Sequence, residues 1–333
     1  MALLQIPNTS LTFQISMPTL LIHPRKGLFR LTICQNCGHT WSCQNCTSNL
    51  TTYRTNDKQL ELICNHCQTA YNYPNDCPQC HSKQVFSKFG GMDELEEVIQ
   101  KEFGKNIIRL DNLKTFVKIN STIAKNSNAD QLFATTRVFD PAIDYAKFSK
   151  IIFIQAENLL ASSDYLVQEE LIKSLTELFL QLDPQTEVIF DKNGQNIDFF
   201  EDLQNLSLAT DGSALQAWFA QKMELELANR KKYNFPPYSN LLLLTSQEKD
   251  YQKSLQKLQA TKEYLQKIQS EIPQATWGRV YPARLLRRKG YYSHHILVKF
   301  PKNYSHFPVL QKAILGLASL YKLQVRLNPR HTF

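Results

Sequence analysis

No apolar run in this 333-residue chain approaches the roughly 20 residues that span a bilayer. Thr19-Leu20-Leu21-Ile22 is too short for a signal core and follows Pro18. No lipidation motif is visible either, and the expectation is a cytoplasmic protein. Cysteine is absent outside residues 34–80. No G-x-x-x-x-G-K-[ST] phosphate cradle occurs, and nothing resembles a catalytic triad, a paired-carboxylate site or a complete nucleotide pocket. Acidic residues are scarce at one end only. Residues 230–333 hold nineteen Lys+Arg against four Asp+Glu, a surplus of +15, whereas residues 1–229 hold nineteen against twenty-six, or −7. The basic charge therefore belongs to a C-terminal unit and suits a polyanion partner, with a solubilising face as the bland alternative.

The eight cysteines form four C-x-x-C knuckles: Cys34/Cys37, Cys43/Cys46, Cys64/Cys67 and Cys77/Cys80. Two knuckles make one tetrahedral thiolate site, so four imply two Zn²⁺. The inner pair has zinc-ribbon spacing, with seventeen residues between Cys46 and Cys64. Those residues read as a hairpin, Leu50–Tyr53 and Leu60–Ile63, with a polar turn at 54–58. Loop lengths favour a nested grouping: Cys43, Cys46, Cys64 and Cys67 on one metal, with Cys34, Cys37, Cys77 and Cys80 on the other. Serial pairing of neighbouring knuckles is the rival. A disulfide framework is the other reading of the cysteines, and it belongs to small secreted domains. A closed thiolate site leaves no position for water, so these metals hold a shape and do not catalyse. With both sites filled, the formal charge of +8 falls to about +4. His39 and His66 adjoin the knuckles and are expected outside the ligand sets. Trp41 suits either stacking on a base or packing against the hairpin.

Along the chain, strand-like runs at Leu11–Ser16, Thr19–His23 and Leu28–Ile33 precede the first knuckle, with a turn at Pro24-Arg25-Lys26-Gly27. After Cys80 the pattern turns helical over Asp93–Phe103, entered through Gly90-Gly91. Strands are then expected at Asn106–Arg109, Gln131–Ala134, Lys150–Gln155 and Glu187–Phe190. Helices are expected over Leu166–Leu182 and 213–230, and the alternation argues a parallel α/β layer. Beyond Phe235-Pro236-Pro237-Tyr238 the order is βαββαβ: Leu241–Thr245, Lys249–Ser270, Thr276–Tyr281, His294–Phe300, Phe307–Tyr321 and Leu323–Leu327. That order is the ferredoxin-like split unit. The connection between its middle strands reads as an exposed loop carrying Arg284, Arg287, Arg288, Lys289, Tyr291 and Tyr292. Cations and aromatics together suit phosphates and stacked bases, and these six are the candidate DNA contacts.

The four knuckles at these spacings resemble the C-terminal half of PriA-type primosomal protein N′, the replication-restart DNA helicase. Leu20-Leu21-Ile22 with Arg25-Lys26-Gly27 resembles the opening of that family's second helicase lobe. Gly91-Met92-Asp93 with Glu96 resembles its G-T-E-x-x-E. Arg230 with Pro236-Pro237-Tyr238 resembles its E-R-x-x-x-x-x-P-P-Y/F, with Asn229 at the Glu position. The resemblance spans roughly residues 18–330 and implies nested cysteine pairing, a RecA-like lobe 2 and a ferredoxin-like C-terminal core. The implied units are residues 1–33 opening the lobe, 34–82 as an inserted double zinc module, 83–229 as the rest of the lobe, and 230–333 as the basic domain.

The departures bear on activity. The family's P-loop lobe and N-terminal DNA-binding domain have no counterpart in these residues. Its I-G-T-Q-M-x-x-K-G falls on Phe133–Arg137, with Asp140-Pro141 in place of Lys-Gly. Its D-Y/F-R-x-x-E-R falls on Asp164-Tyr165-Leu166 through Glu169-Glu170. Its T-Q-V-A-G-R-A-G-R falls on Thr176–Pro184, where Gln181 and Pro184 replace arginines. An arginine finger is worth about 10³–10⁵ in rate, and neutral side chains do not replace it. The expectation is a non-catalytic, PriA-like protein that binds forked or single-stranded DNA and scaffolds single-strand-binding protein or a helicase loader. The alternatives are the second lobe of a split ATP-dependent helicase, with lobe one in another polypeptide, and an RNA- or ribosome-associated zinc-ribbon protein.

Overall fold

The structure, a computed structural model, describes residues 3–5, 12–14, 18–24, 29–55, 57, 59–65, 67–111, 113, 116–126, 130–160, 164–191, 198–204 and 212–332. The Arg25-Lys26-Gly27 turn and His66 lie outside these residues. Strands β1 (Leu3–Gln5) and β2 (Thr12–Gln14) pair antiparallel. Strand β3 (Thr19–Ile22) follows, with Leu20, Leu21 and Ile22 all 0 % exposed. A continuous apolar run of this kind suits a strand covered on both faces. Each such side chain contributes about 1.5–3 kcal/mol on burial.

The chain then leaves for an antiparallel sheet of β4 (Phe29–Cys34), β5 (Thr51–Arg54), β6 (Leu60–Ile63), β7 (Ala70–Asn72) and β8 (Val85–Gly90), in the order β7-β6-β5-β4-β8. The hairpin expected between the inner knuckles is β5–β6, with Thr51 opposite Ile63. Strand β8, for which the sequence carried no expectation, precedes the next helix and pairs along β4 from Phe29↔Gly90 to Cys34↔Val85. The cysteine sheet thus has its root at residues 29–34 and 85–90. Hydroxyls tie that root together: Thr32 lies 3.2 Å from Thr52 and 3.1 Å from Ser87, and Tyr73 lies 3.0 Å from Ser87.

The chain returns through α1 (Met92–Phe103), β9 (Ile107–Arg109), α2 (Phe116–Lys125), β10 (Leu132–Thr135), β11 (Lys150–Phe153), α3 (Val167–Phe179), β12 (Glu187–Phe190), α4 (Asp198–Gln204) and α5 (Ser213–Lys232). β3 lies at the centre of a parallel sheet ordered β12-β11-β3-β10-β9. Alternation sorts its two faces. Leu20, Ile22, Phe133, Ile151 and Phe153 pack with residues of α2, α3, α4 and α5. Leu21, Ala134 and Ile152 pack against Met92, Leu95 and Ile99 of α1. The cysteine sheet is therefore inserted between β3 and the helix that covers it. Arg54 of β5 fastens it to α1 through a two-point ion pair with Glu97, 2.9 Å at Nη2.

A third sheet holds β13 (Ser239–Glu248), β14 (Thr276–Trp277), β15 (Tyr281–Arg288), β16 (Tyr291–Pro301) and β17 (Gln324–Leu327), with α6 (Tyr251–Lys267) and α7 (Phe307–Tyr321). Asp250 caps α6, accepting from Lys253 N at 2.7 Å. β13 lies between β16 and β17 and runs antiparallel to both, while β14 and β15 succeed one another along the far side of β16. One face, with Leu242, Leu244, Ile296 and Val298, packs on α6 and α7.

The C-terminal residues bridge to the parallel-sheet unit. Asn328 exchanges bonds with Leu241, its N–H and its side-chain oxygen each 2.8 Å from their partners. Tyr165 donates to Pro329 O at 3.0 Å, and Tyr281 donates to Thr332 O at 2.6 Å. No helix among the described residues is long and apolar enough to cross a membrane.

Candidate metal centres and nucleic-acid surface

The four knuckles share one backbone design. In each, the residue after the second cysteine donates to the carbonyl of the first: Gly38 to Cys34 (2.9 Å), Thr47 to Cys43 (2.7 Å), Gln68 to Cys64 (2.8 Å) and His81 to Cys77 (2.9 Å). In each, the first cysteine's N–H donates to the residue after that, at His39, Ser48, Thr69 and Ser82. The turn requires positive φ at the fifth residue: 74° at Gly38, 55° at Thr47, 60° at Gln68 and 56° at His81. Glycine takes this conformation without strain, and only the first knuckle has one.

The turns gather the thiols as two nested groups. Cys34, Cys37, Cys77 and Cys80 form one and Cys43, Cys46, Cys64 and Cys67 the other, each with all sulfurs within 4.8 Å. Neighbouring sulfurs such as Cys34–Cys80, Cys37–Cys77 and Cys43–Cys67 are 3.6 Å apart. A disulfide would bring them to about 2.05 Å. A tetrahedron with arms of about 2.3 Å has edges of about 3.8 Å, and the spacing fits that. Around the sulfurs sit thiolate donors: Asn36 Nδ2 on Cys80 (3.5 Å), Thr69 Oγ1 beside Cys67 (3.0 Å), Tyr71 OH beside Cys43 (3.3 Å) and Gln79 N on Cys77 (3.4 Å).

The thiol acidities express the crowding. Thr69, through its hydroxyl and backbone, pulls Cys67 down to about 6. The Asn36 amide, then the Ser82 backbone, pulls Cys80 down to about 6. Burial, then the neighbouring Cys67, Cys64 and Cys43, push Cys46 up to about 12. Four thiols this close do not all ionise without a cation between them, and a divalent ion removes that repulsion. Each cluster therefore has the donor set and spacing to hold a metal ion.

His39 stays outside the outer sulfur group and packs edge-on against Trp41, ring centroids 4.8 Å apart. Trp41 itself packs with Cys43, Cys46, Leu50, Leu62 and Cys64. Its place is against the β5–β6 hairpin.

The segment expected as an exposed loop is a β-hairpin. Arg284, Arg287 and Arg288 lie on β15, Tyr291 and Tyr292 on β16, and Lys289-Gly290 forms a two-residue turn with φ of 50° and 84°. Positive φ at both turn residues is the geometry that lets strands twist together without splaying, and Gly290 supplies one of them freely. Arg287 opposes Tyr292 and Arg288 opposes Tyr291, with a register shift between Pro282 and Arg287. Arg284, Arg288, Lys289 and Tyr291 are exposed.

Arg287 and Tyr292 are engaged inside the chain. Arg287 N donates to Thr47 Oγ1 and its Nη1 to Gln44 O, both at 3.1 Å. Its guanidinium lies 5.1 Å from the Tyr292 ring centroid, and Tyr292 meets Tyr251 edge-on at 5.7 Å. Gln44 and Thr47 carry no signature of such contacts in sequence; a pairing 240 residues apart is visible only in the fold.

The residues that the resemblance sets against helicase motifs are engaged within the chain. Arg137 bonds Asp140 at 2.5 Å, and Asp140 accepts from Ala142 N at 3.0 Å. Asp164 meets His331 at 3.1 Å and Thr332 Oγ1 at 3.4 Å. Glu169 pairs Arg230 at 2.8 Å. Burial raises the Glu169 carboxyl, but Lys173 and Arg230 outweigh it and hold it below the usual range. Gln181 and Pro184 are exposed in the turn from α3 to β12.

No family model matches the chain. Three curated relatives, each named replication restart protein PriA, are similar to it. The Thermotoga maritima protein is 22 % identical over 314 residues, covering 92 % of this chain and 39 % of the relative. The Borreliella burgdorferi protein is 23 % identical over 260 residues, covering 74 % and 37 %. The Synechocystis protein is 27 % identical over 290 residues, covering 83 % and 33 %. The chain thus resembles PriA along most of its own length while spanning about two fifths or less of these three relatives.

Proposed function

We propose that this chain is a non-catalytic, PriA-like protein of replication restart that binds forked or single-stranded DNA and is stapled by two Zn²⁺. The observation that carries this is the coincidence of two nested four-thiol clusters and an exposed cation–tyrosine hairpin within a span similar to PriA. Cys34, Cys37, Cys77 and Cys80 hold one zinc, and Cys43, Cys46, Cys64 and Cys67 the other. When bound, the ions supply folding free energy and no open coordination position. Arg284, Arg288 and Lys289 meet phosphates, and Tyr291 stacks on a base.

The parallel order β12-β11-β3-β10-β9 supports a degenerate RecA-like lobe 2, and the order β14-β16-β13-β17 supports a ferredoxin-like C-terminal core. On that reading the units are residues 1–33 and 83–229 for the lobe, 34–82 for the zinc module and 230–333 for the basic domain. Single-strand-binding protein and other primosome components are the expected partners.

The reading is tested by metal analysis and nucleotide turnover on the same sample. Two zinc ions per chain and no DNA-stimulated ATP hydrolysis by the purified 333-residue chain are expected. Serial coordination of neighbouring knuckles, or turnover that persists to homogeneity, contradicts it. Tighter binding to single-stranded RNA than to DNA at matched salt favours an RNA-associated role instead.

A further inference from the structure

The hydrogen bonds between the basic hairpin and the second knuckle have a direction that fixes their meaning. Thr47 Oγ1 donates its proton to Cys46 O at 2.7 Å, which leaves its lone pairs for Arg287 N at 3.1 Å. Gln44 O, the acceptor for Arg287 Nη1, belongs to a residue whose own N–H donates to Tyr71 OH at 3.2 Å, beside Cys43 Sγ. Both acceptors are therefore held by the turn that presents Cys43 and Cys46. The donor side is equally constrained. β15 is an edge strand, and the backbone N–H of Arg287, a residue in register opposite Tyr292, takes its partner outside the sheet. The knuckle supplies it. Tyr292 backs the guanidinium at 5.1 Å and is itself braced by Tyr251.

We propose that the Cys43–Thr47 knuckle and the β15–β16 hairpin form one composite site for a single nucleic-acid strand, in which Arg287 is a positioning residue and not a phosphate contact. Arg287 gives its backbone N–H and its Nη1 to the knuckle, and the exposed Arg284, Arg288, Lys289 and Tyr291 are left to face the strand. The inner cysteine cluster thereby sets where the basic hairpin stands. This rests on the nucleic-acid reading above and deepens it by joining two segments 240 residues apart into one surface.

The test uses the full, zinc-loaded chain, a fluorescein-labelled oligo-dT probe, and the variants Thr47→Val and Arg287→Gln. Thr47→Val removes the acceptor and no charge. It is expected to retain two zinc ions, to be cleaved by trypsin after Arg284, Arg288 and Lys289 at least about fivefold faster, and to bind the probe about tenfold more weakly. Arg287→Gln is expected to weaken binding similarly while the slope of log K against log[salt] stays at the wild-type value. A phosphate contact by Arg287 would instead shallow that slope by about 0.7, and that result overturns the proposal. Wild-type cleavage and affinity in Thr47→Val also overturn it. Faster cleavage with wild-type affinity overturns the composite site alone and leaves the proposed function standing. Failure of the wild-type chain to bind the probe at low salt overturns both.

Discussion

Arg230 lies 6 % exposed at the junction between the parallel sheet and the C-terminal sheet. Its guanidinium meets Glu226 and Glu169, both at 2.8 Å, donates to Tyr165 O at 3.2 Å, and sits 5.5 Å from the Tyr165 ring centroid. Asn229, not a carboxylate, stands immediately before this arginine. The partner is Glu226, one helical turn earlier on α5, where i,i+4 spacing brings the two side chains together. Removing the cation leaves Glu226 buried without it. Arg230→Met is therefore expected to cost about 3–5 kcal/mol in urea denaturation, and a loss below about 1 kcal/mol would show that the pair is solvated. A second residue titrates against the fold. His295 is buried with its Nδ1 2.8 Å from Thr245 Oγ1. Burial, then Arg326 and His294, lower its pKa to about 4. The unfolded chain holds this proton below about 6.5 and the folded chain does not until about 4, so stability is full above about 6.5 and falls as the pH drops through that window. Wild type should lose about 2–3 kcal/mol more than His295→Gln between pH 7 and pH 4, since both carry the same thiols. Equal losses would mean that His295 charges freely in the folded state.

At the scale of elements, local chemistry was legible and long-range contact was not. Four C-x-x-C pairs announce thiolate knuckles because the ligand type and the turn are both local. Glu187–Phe190 and Phe307–Tyr321 were readable to the residue as β12 and α7, since period and boundary signals agree there. Strand β8 escaped: Val85–Gly90 is short, and its claim to be a strand comes from pairing with β4 across the whole cysteine module. Helix α2 escaped too, although Ile119 and Ile123 have helical spacing. The hairpin was misread as a loop because cations obscure strand alternation, while Lys289-Gly290 was the available turn signal. Metal should be what makes the module an element at all. Cys46→Ser is expected to lose one zinc and to open β5, β6 and β7 to amide exchange, while β3, β10 and β11 stay protected. Loss of that zinc with β5–β7 still protected would assign the module's stability to its small apolar cluster.

At the scale of the whole molecule, charge and connectivity run together. The basic surplus belongs to residues 230–333, which meet the cysteine module through Arg287 and the parallel-sheet unit through Arg230 and residues 328–332. Two of those junctions rest on carboxylates of the parallel-sheet unit: Asp164 takes His331 and Thr332, and Glu169 takes Arg230. The sequence showed the charge split, but not that Asp164 and Glu169 are engaged by residues more than sixty positions away. The measurement that bears most directly on nucleic-acid binding by this surface is the salt dependence of single-stranded DNA binding, compared between wild type and the Arg284→Ala, Arg288→Ala, Lys289→Ala triple variant. Each cation on a single strand contributes about −0.7 to the slope of log K against log[salt], so the triple variant should be shallower by about 2. An unchanged slope with unchanged affinity would remove the hairpin from the nucleic-acid surface and contradict the function proposed for it.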